Sequence, residues 1–178
     1  MKSSGLLQQR IPHFHSISNS VTELADNLRQ LGYRICTLEN LGAASTASQP
    51  IDQQDITLHS ILDEIVSKNP GYRWVLDESG LINLFPAQSI LDTRVGPSNV
   101  KGKTPWEILE EDIQIEKVGL SLFMEFQDDS QRMDFSIKKV SLREALNSLV
   151  DQLGNTVWHI SGSPGAYYLT LTAVENPR

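Results

Sequence analysis

The chain has one cysteine, few aromatic residues and no long apolar run. Of its 178 residues one is cysteine and 7% are aromatic. A lone thiol excludes a disulfide within the chain, and Cys36 lies in an apolar run, where a buried structural thiol is the usual case. The apolar stretches are only a few residues long, whereas a membrane-spanning helix requires about 20. We therefore expect no membrane-spanning segment.

Concentrated positive charge is also missing. The chain has 15 Lys and Arg against 22 Asp and Glu, a formal net charge of −7, and the basic residues are scattered. Nucleic-acid binding draws on a concentrated basic face, so we expect no nucleic-acid partner. The first ten residues contain no apolar segment of the kind found in signal peptides, so none is predicted. A hydrophobic content of 39% and a charged content of 21% favour a globular core.

Residues 84 positions apart match repeatedly along the chain, as Thr57 and Ser141 do. The longest match aligns residues 57–66 with residues 141–150 without a gap, and Trp74 matches Trp158. Such a period indicates two supersecondary units built to one plan. We therefore predict two domains, residues 12–86 and residues 87–175.

Four segments have the apolar spacing of amphipathic helices, and each opens on a hydroxyl side chain that can accept a hydrogen bond from a first-turn amide. These hydroxyl residues are Ser20, Thr57, Thr104 and Ser141. A glutamate three residues after Ser20, Thr104 and Ser141 predicts a reciprocal capping box at each. The third helix, after Thr104, has the least regular apolar spacing.

Strand patterns and turn residues occupy the intervals between these helices. Single strands are predicted at residues 33–38, 51–56, 120–126 and 133–137, and hairpins at 72–85 and 156–171. The Gly, Pro and Lys content of residues 96–104 predicts a linker. The resulting order of helix, strand, strand, helix and hairpin predicts an α+β fold of two tandem small units, each with two helices packed with small mixed β-sheets.

The first half carries a diffuse pattern of apolar and turn residues over 21–33, 57–62, 72–74 and 80–84. This pattern resembles the secretin and TonB short N-terminal (STN-like) domain family over residues 12–86, and less closely over 90–172. The resemblance implies two helices between a two-stranded and a three-stranded sheet. It also implies a periplasmic signalling or docking module of the Gram-negative envelope that binds another protein domain and performs no chemistry.

His13 and His15 flank Phe14, so in a strand both imidazoles lie on one face, as two metal ligands can. No third or fourth ligand is visible nearby in the sequence. We therefore expect solvent-facing or locally hydrogen-bonded histidines and predict no metal site and no cofactor.

No motif in the sequence assembles a catalytic site. The acidic cluster Glu110–Asp112 is typical of a solvated helix surface, and Asp63 and Glu64 diverge by about 100° on a helix. The segment 161–165 resembles a nucleophile motif only in composition, and no helix follows it. Trp74 and Trp158 are predicted to share a core role. We therefore expect a protein that is not an enzyme.

Tyr167 and Tyr168 are the candidate interface residues, because adjacent residues of a strand point to opposite faces and one must point outward. Small mixed sheets expose edge strands, to which a partner can add a strand. Together with the STN-like resemblance, which implies the envelope location, these features predict a protein–protein interaction or signalling module of the bacterial cell envelope. The alternative is a small-ligand or carbohydrate-binding module that uses the groove between the two units.

Overall fold

The computed structural model describes residues 3–18, 20–40, 50–122 and 131–174. Backbone contacts divide the chain into two compact units, Met1–Ala87 with Val174–Arg178, and Gln88–Ala173. Helices and mixed strands contribute to both units, so the predicted α+β class is confirmed. None of the helices in the described ranges combines the length and the hydropathy needed to cross a membrane.

The first unit alternates helices and strands. Its elements are α1 (Ser3–Leu7), β1 (Arg10–Ser16), α2 (Val21–Gln30), β2 (Ile35–Asn40), β3 (Ile51–Thr57), α3 (Leu58–Lys68), β4 (Tyr72–Leu76) and β5 (Ile82–Pro86). β1 and β3 form an antiparallel pair. β5 lies between β4, to which it is antiparallel, and β2, to which it is parallel.

The two helices of the first unit hold these sheets together. α2 contacts β1 and β2, and α3 contacts β3 and β4, so each helix touches a strand of each sheet. The helix residues that make these contacts repeat at helical spacing and are fully or almost fully buried: Val21, Leu24, Ala25, Leu28, Leu58, Ile61, Leu62 and Ile65. Burial of these faces supplies the main driving force for folding of the unit.

The second unit has a comparable order with more irregular turns. Its elements are a 3-10 turn (Ile90–Asp92), β6 (Arg94–Val95), β7 (Ser98–Lys103), α4 (Pro105–Glu107), a π-helical turn (Ile108–Ile113), a 3-10 turn (Ile115–Val118), β8 (Leu120–Leu122), β9 (Met133–Ile137), β10 (Val140–Ser141), α5 (Leu142–Gln152), β11 (Thr156–Ser163) and β12 (Ala166–Ala173). β7 pairs with β9, β6 with β10, and β12 lies between β11 and β8.

Strand pairing follows one pattern in both units. β7 and β9 are antiparallel, as β1 and β3 are. Val100 lies opposite Phe135, and these two positions are each 84 residues after Ser16 and Ile51, which lie opposite each other in the first unit. β12 is antiparallel to β11 and parallel to β8, as β5 is to β4 and β2. Direction and register of the smaller sheet therefore agree between the units.

One side-chain hydrogen bond also recurs at the 84-residue spacing. The indole nitrogen of Trp74 donates to Asp63 Oδ1 at 3.0 Å, and that of Trp158 donates to Asn147 Oδ1 at 2.8 Å. Trp158 is fully buried, whereas Trp74 is half-buried against the core of its unit. The same helix-to-strand contact therefore lies in two different environments.

All four predicted hydroxyl caps are present, and two of the three predicted capping boxes are complete. Thr104 and Ser141 form complete capping boxes with Glu107 and Glu144. Ser20 accepts a bond from the Glu23 amide, but its own amide donates to Ser18 Oγ and the Glu23 carboxylate accepts from Ser16. The predicted capping box at Ser20 is therefore wrong, because Ser18 binds the Ser20 amide and Ser16 binds the Glu23 carboxylate that would have accepted from it.

Two sequence predictions for the second unit are corrected by the structure. Residues 98–103, predicted as a linker, form β7, because β9 supplies the backbone partner and Gly102 takes a positive φ at the irregular end of the pair. The third helix is a short α-turn that continues as a π-helical turn rather than a regular helix. The strand predicted at 120–126 begins as β8, and its remainder lies outside the described residues.

Candidate functional site

Tyr167 and Tyr168 lie side by side on β12 and point to opposite faces. Tyr167 is 6% exposed and Tyr168 is 48% exposed. Burial raises the pKa of the Tyr167 phenol above its usual value. Tyr167 is therefore unavailable to a partner, and of the two candidate interface residues only Tyr168 reaches the surface, opposite Ser121 of β8.

β4 is an edge strand of the first unit. Among the described strands of that unit, β5 is its one neighbour. Gly71 O accepts from the Ala87 amide and Asp77 N donates to Leu81 O, so the residue pairs just beyond both ends of β4 are hydrogen-bonded pairs. Hydrogen-bonded and non-hydrogen-bonded pairs alternate along an antiparallel ladder. Trp74 and Leu76 are therefore in non-hydrogen-bonded pairs, and their backbone N–H and C=O groups point away from β5.

The side chains of β4 contain few of the features that protect an edge strand. Natural edges are commonly blocked by lysine, proline or a bulge. β4 has the sequence Tyr-Arg-Trp-Val-Leu and pairs with β5 in unbroken register over all five residues. Its one charged residue, Arg73, lies over the Phe85 ring with the guanidinium carbon 4.8 Å from the ring centre. The strand is therefore regular and mostly apolar.

A second cluster lies on the outer face of the β1–β3 pair. His15 is directly opposite Asp52, and His13 is two pairs further along, on the same face of β1. His13 Nε2 lies 2.7 Å from Asp52 Oδ1, and His15 Nδ1 lies 4.0 Å from Asp52 Oδ2. The side chains of all three are exposed, at 55%, 52% and 62% for His13, His15 and Asp52. The carboxylate thus lies between two imidazoles.

The alternation of a strand predicted that His13 and His15 share one face, but it did not predict that Asp52 lies beside them. Asp52 is 39 residues from His13 along the chain, and only the antiparallel register of β1 and β3 brings them together. The signal available in the sequence was weak, because residues 51–56 have four consecutive polar residues between two isoleucines and no clear alternation. A prediction that β3 pairs with β1 would have been needed first.

The other acidic groups singled out from the sequence are paired or solvated. Lys103 Nζ contacts Glu111 Oε2 at 2.9 Å and Asp112 Oδ2 at 2.8 Å. These hydrogen bonds, that with Asp112 first, raise the pKa of the Lys103 ammonium. Asp63 accepts from Trp74 and lies 3.2 Å from His59 Nδ1. The cluster Glu110–Asp112 therefore belongs to an ion-paired turn.

The segment 161–165 forms the end of the β11–β12 hairpin. Ser163 pairs with Ala166, and Pro164 and Gly165 make the turn. A Cβ on Gly162 would lie 2.2 Å from Ala166 O, so the residue must be glycine for the strands to approach. Residues 161–163 thus belong to β11, and the turn of the predicted hairpin is only two residues long.

Comparison with known proteins adds no relative to these observations. No protein-family model matches the chain, and neither curated proteins nor solved structures give a match. Function must therefore be argued from the fold, the strand edge and the side-chain clusters described above.

Proposed function

We propose that the chain is a non-enzymatic docking module of the bacterial cell envelope, of the STN-like kind, and that it binds an extended segment of another protein along β4. The partner strand would add to β4 through backbone hydrogen bonds, with the side chains of β4 and the partner setting specificity. No chemistry on the partner is required.

The topology of the first unit supports the family part of this proposal. Two helices contact both a two-stranded pair, β1–β3, and the strands β2 and β4, which flank β5. This is the arrangement that the resemblance to the STN-like family implies. The matching strand directions of the second unit support two copies of the same domain plan.

The observation that carries the docking part is the outward backbone of Trp74 and Leu76. An edge that presents regularly spaced donors and acceptors is a template for another strand. Each backbone hydrogen bond contributes about 0.5–1.5 kcal/mol net, so a five-residue addition is worth a few kcal/mol before side chains are counted. The entropy lost on association offsets most of this, so side-chain contacts must supply the rest of the affinity.

A photo-crosslinking amino acid at Arg73, which is exposed on β4, tests the proposal in the organism that encodes the chain. We expect one predominant crosslinked protein, identified by mass spectrometry. The same probe at Glu78, in the exposed turn after β4, is the matched control and should crosslink much less. Equal labelling from both positions would contradict docking along β4.

The edge mechanism itself is tested by two substitutions of Leu76. Leu76→Pro removes the outward N–H, whereas Leu76→Ala keeps it and removes most of the side chain. With the crosslinked partner in purified form, we expect Leu76→Pro to weaken binding about tenfold or more, and Leu76→Ala by clearly less. Circular dichroism checks that both variants fold. Equal losses would favour side-chain recognition over strand addition.

The same variants discriminate the rival hypothesis. A small-ligand or carbohydrate-binding module would bind its ligand equally well with either residue at position 76. Retained ligand binding by Leu76→Pro, together with no protein partner, would overturn the docking proposal.

A further inference from the structure

We propose that His13, His15 and Asp52 form a binding site for a divalent transition-metal ion such as Zn²⁺. Two imidazole nitrogens and one carboxylate oxygen are a donor set that suits Zn²⁺, Cu²⁺ and Ni²⁺ better than Mg²⁺ or Ca²⁺. All three groups belong to the first unit, on two seven-residue strands that form six residue pairs.

The geometry needs only side-chain rotation to receive the ion. One ligand atom from each residue can be chosen so that all three lie within 4.8 Å of one another. Ligand atoms around a tetrahedral Zn²⁺ are about 3.4 Å apart, given metal–ligand distances near 2.1 Å. Because all three side chains are more than half exposed, small rotations close this gap without backbone movement.

The β-sheet framework does not itself require these residues. In the second unit the positions 84 residues later are Pro97, Asn99 and Ser136, and Asn99 is opposite Ser136 as His15 is opposite Asp52. The second sheet pairs in the same register without any imidazole or carboxylate at these positions. The three groups of the first unit are therefore free to serve binding.

The paired strands also hold the ligands in place. Alternation directs both imidazoles to one face of β1, and directly opposite residues of an antiparallel pair have Cβ atoms about 4.5–5.5 Å apart. The backbone entropy of bringing the ligands together is already lost on folding. With three protein ligands, the ion keeps at least one coordination position for water or for a side chain of another protein.

Titration calorimetry with ZnCl₂ on the chain without a histidine tag tests the site. We expect one Zn²⁺ per chain with a Kd below about 1 mM. His13→Ala, His15→Ala and Asp52→Asn should each weaken binding about tenfold or more, because loss of even an outer partner of a metal ligand commonly costs this much. Co²⁺ in place of Zn²⁺ should give d–d absorption that the three variants lose.

Two control variants define what would overturn the site. Gln54→Ala changes the residue opposite His13, and His59→Ala removes another exposed imidazole beside a carboxylate, 3.2 Å from Asp63. Both should bind Zn²⁺ like the parent chain. No saturable binding by the parent, or equal loss in His59→Ala, would overturn the proposal. Circular dichroism separates a lost ligand from a lost fold.

The metal site and the docking function are independent in these tests. Leu76→Pro alters β4 and leaves His13, His15 and Asp52 unchanged, so it should keep Zn²⁺ binding. Asp52→Asn alters the ligand set and leaves the β4 edge unchanged. Failure of one proposal therefore leaves the other standing.

Discussion

The recurring indole hydrogen bond allows a matched test of how burial sets the value of one interaction. Trp158 donates to Asn147 in the buried interior of the second unit, where Trp158 is 0% and Asn147 is 6% exposed. Trp74 donates to Asp63, whose side chain is 57% exposed. Replacing the acceptor by leucine, Asn147→Leu and Asp63→Leu, makes the same kind of change in each unit.

The expected costs differ because water can replace one acceptor and not the other. Asn147→Leu leaves the buried indole N–H of Trp158 without its acceptor, at a cost of about 1–3 kcal/mol. Leucine has the branched shape of asparagine and is larger, so no space opens for a water. The better helix propensity of leucine offsets about 0.5 kcal/mol in both variants. We therefore expect Asn147→Leu to lower the free energy of unfolding by about 1–2 kcal/mol.

Asp63→Leu should change the free energy of unfolding by less than about 0.5 kcal/mol. The Trp74 indole can turn to water, and an exposed contact such as Asp63 with His59 is worth only a few tenths of a kcal/mol. Urea denaturation followed by far-UV circular dichroism measures both variants. A double-mutant cycle that combines Trp158→Phe with Asn147→Leu should give an interaction free energy of about 1 kcal/mol. Equal losses at the two sites would refute the burial argument.

Three further outcomes follow from the packing and the caps. Leu62→Ala and Leu146→Ala remove fully buried side chains at equivalent helix positions, so each should lower the free energy of unfolding by about 2–5 kcal/mol in urea denaturation. Losses under about 0.5 kcal/mol in both variants would show that the buried helix faces are misassigned. Gly162→Ala places a Cβ 2.2 Å from a carbonyl oxygen at φ +143°, so it should lower stability by more than about 1 kcal/mol in the same assay. Hydrogen bonds from the Ser141 hydroxyl and amide hold the pKa of the Glu144 carboxyl below its usual 4.5. The stability that this cap contributes is therefore present above pH 4.5 and is lost as the pH falls through the lower pKa of the folded state. Glu144→Gln should flatten the dependence of the unfolding free energy on pH in this range, and an unchanged slope would contradict the prediction.

Local features of the fold were predictable from the sequence. Helix starts depend on a hydroxyl residue and its neighbours within one turn, and Thr57, Thr104 and Ser141 cap their helices as predicted. The apolar faces of α2, α3 and α5 follow from helical spacing, and most of their apolar residues are buried. These features need no knowledge of distant strands.

Features that depend on distant pairing were not predictable. β7 contains two lysines and a glycine, a composition typical of a loop, and becomes a strand because β9 pairs with it. Asp52 joins the two histidines only through the register of β1 and β3. The capping box at Ser20 failed because Ser16 and Ser18, which precede the helix, compete for its partners. In each case a contact outside the local segment decided the outcome.

Differences in sequence between the two units support the proposed metal site. The matching pairs Ser16–Ile51 and Val100–Phe135 show a shared sheet register, so residues needed for that sheet should recur in both units. His15 and Asp52 do not recur, since Asn99 and Ser136 stand in their places. A framework role would have to be filled in both sheets, whereas a binding role needs only one. On the outer face of the β1–β3 pair we therefore expect substitution of these residues to alter Zn²⁺ binding while stability is kept.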